Sequence, residues 1–281
     1  METAQNIEPE SNLLGDSNIP DGSLSSGRPG VILVNAGFLH RVGPNRMNTS
    51  LARKLASIGF ASLRVDLSGL GDSMSRQVAA ADCEVVSEDL DKAMDFMQTN
   101  FGLDTFVLVG LCSGANDTAR KAMEDNRVVG LVNIDGTGYR TKRFYIKHFF
   151  LHLLRRVAQP ERWRRLYYRY LENTKNKAES GSDQPSILMN SVAYTDWSME
   201  ETGCNFETLA QRKVKMHFVY TGGVSGFYNY RTQFWDIFKN YDFRGMASTS
   251  YFPATDHLTM LEHQRNEVHK NIIDWFDQAY T

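Results

Sequence analysis

From residue 31 onward, short apolar runs alternate with stretches in which apolar side chains recur every three or four positions. VILVNA (31–36), ASLRVD (61–66), TFVLVG (105–110), VGLVNI (129–134), VKMHFVYT (214–221) and STSYFP (248–253) read as strands. After Pro44, Met47, Leu51, Leu55 and Ile58 fall on one helical face that Gly59 can terminate. Val86, Leu90, Ala93 and Met97 mark another. Further helices are expected from about Ser113, near 228–239, and at the end, where Leu261, Val268, Ile272 and Trp275 share a face. Apolar strands alternating with amphipathic helices predict an α/β chain with a parallel sheet covered on both faces. Ligands collect beyond the carboxyl ends of such strands. The turns after Ala36, Asp66, Gly110, Ile134, Thr221 and Pro253 are therefore expected to share one rim.

With 281 residues, 42% of them hydrophobic, the chain can build one α/β domain with an insertion or two small domains. A net charge of −2 argues against a dedicated nucleic-acid binder. No apolar run approaches the roughly 20 residues of a membrane span, and no signal-peptide pattern opens the chain. Cys83, Cys112 and Cys204 make no disulfide framework and no CxxC metal spacing, so neither a metal nor a cofactor is expected. Free thiols fit a reducing, cytoplasmic location. Residues 1–28 hold five acids, four of them before position 20, and no lysine or arginine until Arg28. They read as a flexible acidic leader.

The stretch TFVLVGLCSGA (105–115) ends a strand on a Gly-bounded turn. A nucleophile on a sharp strand-to-helix turn needs small residues two before and two after it, because strand and helix crowd there. Gly110 and Gly114 hold those places around Cys112. Counted from Ser113 the neighbours would be Leu111 and Ala115, and Leu111 fits poorly. The spacing favours Cys112 as nucleophile. A thiol at a helix N-terminus beside a histidine supplies thiolate near neutral pH. The alternative for Cys112 is a small apolar filler, which is the preferred reading of Cys83 and Cys204.

The order NAGFLHRVGPNR, LRVDLSGLGDS, VGLCSGA, ATDHLT resembles the α/β-hydrolase superfamily over about residues 30–281. Within it, the chain is similar to bacterial hydrolase-like proteins of exosortase systems and natural-product gene clusters. The resemblance implies an α/β-hydrolase core (29–136 and 206–281) with a helical cap inserted at 137–205. It implies that His257, after the last strand, is the catalytic histidine. The superfamily usually places its acid after the penultimate strand, but VYTGGVSGFYNYRTQFWD has no carboxylate from Thr221 to Trp235. Asp135, in NIDG, is the substitute, at a position from which some relatives supply the acid. It reads equally as a turn former before Gly136. Asp256 adjoins His257 and is expected to point elsewhere. The oxyanion would be held by the backbone N–H of Ser113 and of Gly37 or Phe38. Asp66, Gly69, Gly71 and Asp72 read as a structural turn. His217 is expected to be a satisfied core residue, and His263 and His269 solvated.

Residues 140–170 hold ten Lys/Arg and one acid. Ile146, Phe149, Phe150, Leu153 and Val157 follow helical spacing, flanked by Arg143, Lys147, Arg155 and Arg156, and ERWRRLYYRYLE alternates aromatic with basic residues. The insertion is an ordinary cap with a solvated basic face, or an anion-facing lid for a phosphopantetheine arm, carrier protein or acidic substrate. Membrane-surface docking is a third reading. Arg41 and Arg46 add to anion binding or form surface salt bridges. Taken together, the expectation is a cysteine-nucleophile enzyme working through an acyl-enzyme. It would act on a small-molecule ester or thioester, free or bound to CoA or a carrier protein, as esterase, thioesterase, acyltransferase or biosynthetic cyclase. The rival expectation is an inactive hydrolase-fold binding or partner protein with a relic elbow.

Overall fold

A computed structural model describes residues 1–280 except 9–12, 22, 23, 25, 26, 38, 76–81 and 158–196; the side chains of 82 and 151–157 are also outside the description. Eight strands form one sheet: β1 (Glu2–Glu8), β2 (Leu13–Asn18), β3 (Gly30–Val34), β4 (Ser62–Val65), β5 (Phe106–Leu111), β6 (Val128–Ile134), β7 (Lys215–Thr221) and β8 (Ala247–Phe252). Their order is β1-β2-β4-β3-β5-β6-β7-β8. β2 runs antiparallel to both of its neighbours, and every other pairing is parallel.

Every residue of β3, β4 and β5 is buried. Alternate side chains leave opposite faces of a strand, so adjacent apolar residues feed two separate cores. Ile32, Val34, Leu63 and Leu108 pack with Leu90, Ala93 and Met97 of α2 (Asp82–Phe101) and with Phe206 and Leu209 of α5 (Met199–Gln211). Val31, Leu33, Val107 and Val109 pack with Leu51 and Leu55 of α1 (Met47–Ser57) and with Val268, Ile272 and Phe276 of α7 (Glu262–Tyr280). The remaining helices are α3 (Ser113–Glu124), α4 (Lys142–Val157) and α6 (Gln233–Ile237). Among the described residues, no helix is long and apolar enough to cross a membrane.

Residues 2–8 and 13–18 are not a loose leader, because they form β1 and β2, which extend the sheet. Charge as well as the burial of Leu13 holds them there. Arg64 of β4 is 1% exposed, and its guanidinium meets Glu2 of β1 and, at 3.2 Å, Asp16 of β2. Glu2 also reaches Arg53 at 2.7 Å. A buried guanidinium needs such partners, since leaving it unpaired is strongly destabilising. Glu2 and Asp16, two of the acids that suggest disorder in the sequence, are the counter-ions of this edge.

Other expectations change as well. The helix near 228–239 shortens to α6, because the Gln233 side chain accepts from Asn229 N and donates to Tyr139 O and Phe227 O, bracing the preceding loop instead of an extra helical turn. Cys83 and Cys204 are exposed, not core fillers: α2 and α5 bury their other faces, through Leu90 and Met94 and through Phe206 and Leu209. In the expected cap at 137–205, α4 is followed by the undescribed 158–196 and then by α5. The boundary at 205 falls inside α5, which starts at a capping box on Ser198 and packs Phe206 against Phe218 of β7 as a tilted pair with ring centroids 4.9 Å apart.

His217 accords with expectation, bonded by Ser248 and Asn271 at 2.8 Å each. His263 is exposed, but His269 is not solvated. It is completely buried on the face of α7 that joins the core. Burial, with Lys54 and Arg265 nearby, pulls its pKa from 6.5 down to about 4. The unfolded chain thus binds this proton at a higher pH than the folded chain. No penalty exists above pH 6.5, and stability is lost as the pH falls from 6.5 through about 4, by about 3 kcal/mol in all. His269→Leu is expected to lose less stability than the parent between pH 7 and pH 4.5 in urea denaturation. Equal losses would refute this role for His269.

Candidate active site

The carboxyl ends of β3, β5, β6, β7 and β8 lie side by side, with Val34 opposite Gly110, Leu111 opposite Ile134, Ile134 opposite Val219 and Thr221 opposite Phe252. Cys112 follows β5 directly and takes φ 55° and ψ −115°, a conformation that strains any residue with a side chain. The peptide is held there: Cys112 N donates to Ile134 O at 2.8 Å, and Ala115 N to Cys112 O at 3.1 Å. The flanking glycines are steric requirements. A Cβ on Gly110 would collide with the Gly114 carbonyl, and one on Gly114 would lie 2.5 Å from Asn35 O. The thiol is almost wholly buried at the N-terminus of α3.

Asp135 follows β6 in the left-handed region, at φ 50°, and is 1% exposed. Its Oδ1 accepts from Thr221 N and its Oδ2 from Thr221 Oγ1, both at 2.6 Å. The same Oδ2 lies 2.8 Å from His257 Nδ1. The acid-less turn after β7 is thus the clamp that aims an acid from β6. Gly222 and Gly223 follow Thr221, and a Cβ on Gly223 would collide with the backbone and Cβ of His257. Two glycines stand there because the His257 loop passes over them. Asp256 turns away: its carboxylate accepts from Leu258 N at 2.9 Å and Met260 N at 3.1 Å. Asn45 Nδ2, from the loop before α1, donates to Leu258 O at 3.0 Å and ties the two rim loops together.

His257 Nδ1 is hydrogen-bonded to Asp135, and Cys112 is its other polar neighbour. Asp135, the larger influence, and Cys112 together outweigh desolvation and raise the imidazole from 6.5 to about 10. It is therefore protonated at neutral pH. An imidazolium between a buried carboxylate and a thiol at a helix N-terminus is placed to hand on a proton. Cys112, His257 and Asp135, predicted from separate stretches, are brought together. Thr221 was not singled out in the sequence. Its only signal is a hydroxyl at the carboxyl end of the strand beside that of Asp135.

The other expected residues scatter. Gly37, at φ 46°, reaches the elbow: its N–H donates to Ser113 Oγ at 2.7 Å. Phe38 lies outside the described residues. Arg41 is not an anion-binding group. Its guanidinium is taken by Asp16 at 2.9 Å, Asp72 at 2.8 Å and the buried Asp66. Asp66 also accepts from Asp72 N, and a Cβ on Gly71 would collide with its carboxylate, so this turn is structural. His40, Asp66 and Asp72 converge as metal ligands would, but Arg41 Nη1 stands among them, 3.0 Å from His40 Nε2, and serves as the cation. Arg46 is exposed at φ 62°, immediately before α1. On α4, Arg143 lies over the Tyr230 ring at 4.8 Å and near Asp236 at 3.7 Å. The aromatic-basic run 161–172 and the side chains of Arg155 and Arg156 lie outside the described residues.

No protein-family model matches the chain, and no curated protein matches it in sequence. Solved structures resemble it closely in outline. The α/β hydrolase GrgF from a Penicillium species aligns with a TM-score of 0.59 at 14% identity, covering 100% of this chain and 99% of that one. Dienelactone hydrolase from Anabaena variabilis aligns with a TM-score of 0.54 at 14% identity, covering 99% and 97%. An esterase from Pyrococcus furiosus aligns at 0.57 with 14% identity, covering 95% and 86%. At these identities the likeness is one of architecture, and together with the strand order it gives the chain the α/β-hydrolase fold.

Proposed function

We propose that the protein is an acyl-chemistry enzyme acting on esters or thioesters, with Cys112 as nucleophile, His257 as proton carrier and Asp135 as the acid that orients it. The observation that carries this reading is the 2.8 Å bond from His257 Nδ1 to a buried carboxylate, with Cys112 beside the same imidazole. That bond fixes which nitrogen faces Asp135 and leaves Nε2 for the reaction. The names of the structural neighbours, a dienelactone hydrolase and an esterase, support ester hydrolysis as the reaction class.

Cys112 thiolate attacks the carbonyl carbon, a C–S bond forms, and the carbonyl π pair moves to oxygen, where N–H donors at the start of α3 meet it. Collapse restores the carbonyl and breaks the bond to the leaving oxygen or sulfur, which takes the proton from His257 Nε2. The neutral imidazole then removes a proton from the acceptor as it attacks the thioester, and Cys112 leaves as thiolate. With water as acceptor the enzyme is an esterase or thioesterase; with another nucleophile it is a transferase or cyclase. Thioesters favour amine and thiol acceptors over water, which supports transfer as the finer reading. A small acyl substrate, free or carried by CoA or a carrier protein, in a reducing cytoplasm that keeps the thiol free, completes the proposal.

Incubation with p-nitrophenyl acetate or an acetyl thioester is expected to add one acetyl group to the intact protein by mass spectrometry. Cys112→Ala is expected to abolish the adduct, and His257→Gln to slow turnover by about a thousandfold. No adduct on the parent, or an adduct surviving Cys112→Ala, would sink the proposal in favour of a binding protein with a relic elbow.

The proton state of His257 is separately measurable. Its NMR titration midpoint is expected near pH 10, and Asp135→Asn is expected to lower it towards the ordinary 6.5. Because the folded-state value is raised, the stability it contributes is complete below pH 6.5 and lost as the pH rises through about 10. The Tm gap between the parent and Asp135→Asn is therefore expected to narrow across that window; a constant gap would contradict the charge pairing.

A further inference from the structure

We propose that the Ser113 hydroxyl, not the Gly37 amide, is the second donor to the oxyanion. This rests on the acyl-enzyme reading above. Gly37, expected with Phe38 as one of two alternatives to offer its N–H to the reacting oxygen, directs that N–H at Ser113 Oγ across 2.7 Å. To serve the substrate itself it would have to break a well-formed bond. The hydroxyl has no such obligation. A serine oxygen accepts hydrogen bonds and also donates one. Among the described residues, the only hydrogen bond Ser113 Oγ makes is the one it accepts from Gly37. Its proton remains available beside the nucleophile.

The placement suits the task. Ser113 is the first residue of α3, directly after Cys112, so its backbone N–H is one of the orphan donors at a helix N-terminus. Its side chain lies between that turn and the loop after β3. The oxyanion would then meet two donors from one residue, the N–H and the O–H of Ser113. Accepting a bond from the Gly37 amide polarises the hydroxyl and makes it a better donor. Gly37 thus acts through Ser113 as a positioning residue. At φ 46° its conformation suits glycine, and a Cβ there would meet nothing within 4 Å, so the backbone angle rather than crowding is the constraint. No proton transfer is involved: the Ser113 O–H bond stays intact while the new C–S bond forms and the π pair settles on oxygen. This also gives a purpose to the serine that follows the nucleophile in GLCSG.

Two reactions of the same thiol separate this role from a structural one. Acylation by p-nitrophenyl acetate passes through an oxyanion; alkylation by iodoacetamide is a direct displacement at carbon and does not. Ser113→Ala is expected to slow the p-nitrophenolate burst by about a hundredfold while leaving Cys112 alkylation unchanged. Ser113→Thr, which keeps the hydroxyl, is expected to recover most of the burst. A burst at the parent rate in Ser113→Ala overturns the inference. So does a parallel loss of alkylation, which would mean that Ser113 merely supports the elbow, or a Ser113→Thr protein that alkylates normally yet acylates no faster than Ser113→Ala. A parent protein that alkylates rapidly but is never acylated overturns the acyl-enzyme reading, and this inference with it.

Discussion

The carboxylate of Asp135 is the point on which the rim depends. It is buried, and a buried charge persists only when it is hydrogen-bonded and paired. Thr221 supplies two donors and His257 supplies the third. These three residues come from the ends of β6 and β7 and the loop after β8, so satisfying one charge fixes three segments relative to one another. The same charge holds the proton on His257. The turn after β7 carries no acid because its task is to hold one: Thr221 grips the carboxylate, and Gly223 leaves room for the histidine backbone.

Against this clamp stands a second constraint, the close approach of β5 and α3. Gly110 meets Gly114, and Gly114 meets the carbonyl of Asn35 on the next strand's loop. Cys112 is forced to a positive φ between them, with its amide pinned to Ile134. Ile134 immediately precedes Asp135, so the strained elbow and the buried acid are anchored to the same strand end. Cys112 and Asp135 are therefore registered by sheet hydrogen bonds and not by flexible side chains, the kind of rigid placement that the proposed chemistry would require.

At the far edge of the sheet, charge does what hydrophobic burial does in the centre. Arg64 and Arg41 are paired with Glu2, Asp16, Asp66 and Asp72, and this network joins β1, β2 and β4 to the loop after β3. That loop also carries Gly37 and Asn45, which touch Ser113 and the His257 loop. The ionic edge and the reactive rim are thus two ends of one loop.

What was legible in the sequence was whatever local sterics and periodicity encode. The all-apolar runs of β3 and β5 required a sheet covered on both faces, and glycines two residues either side of Cys112 required a crowded turn. His257 could be placed from its position after the last strand, and Asp135 only as one of two readings. Pairing across the chain was not legible. The strand residues 2–8 are mostly polar, and their place in the sheet draws on a pairing of Glu2 with the buried Arg64, far along the chain. His269 looks like a surface residue until α7 is laid on α1. Thr221 is an ordinary strand residue until β6 and β7 lie side by side. Local pattern determined the elements and the elbow; only the tertiary structure decided which charges meet, because a buried carboxylate or guanidinium takes its partners from space and not from sequence.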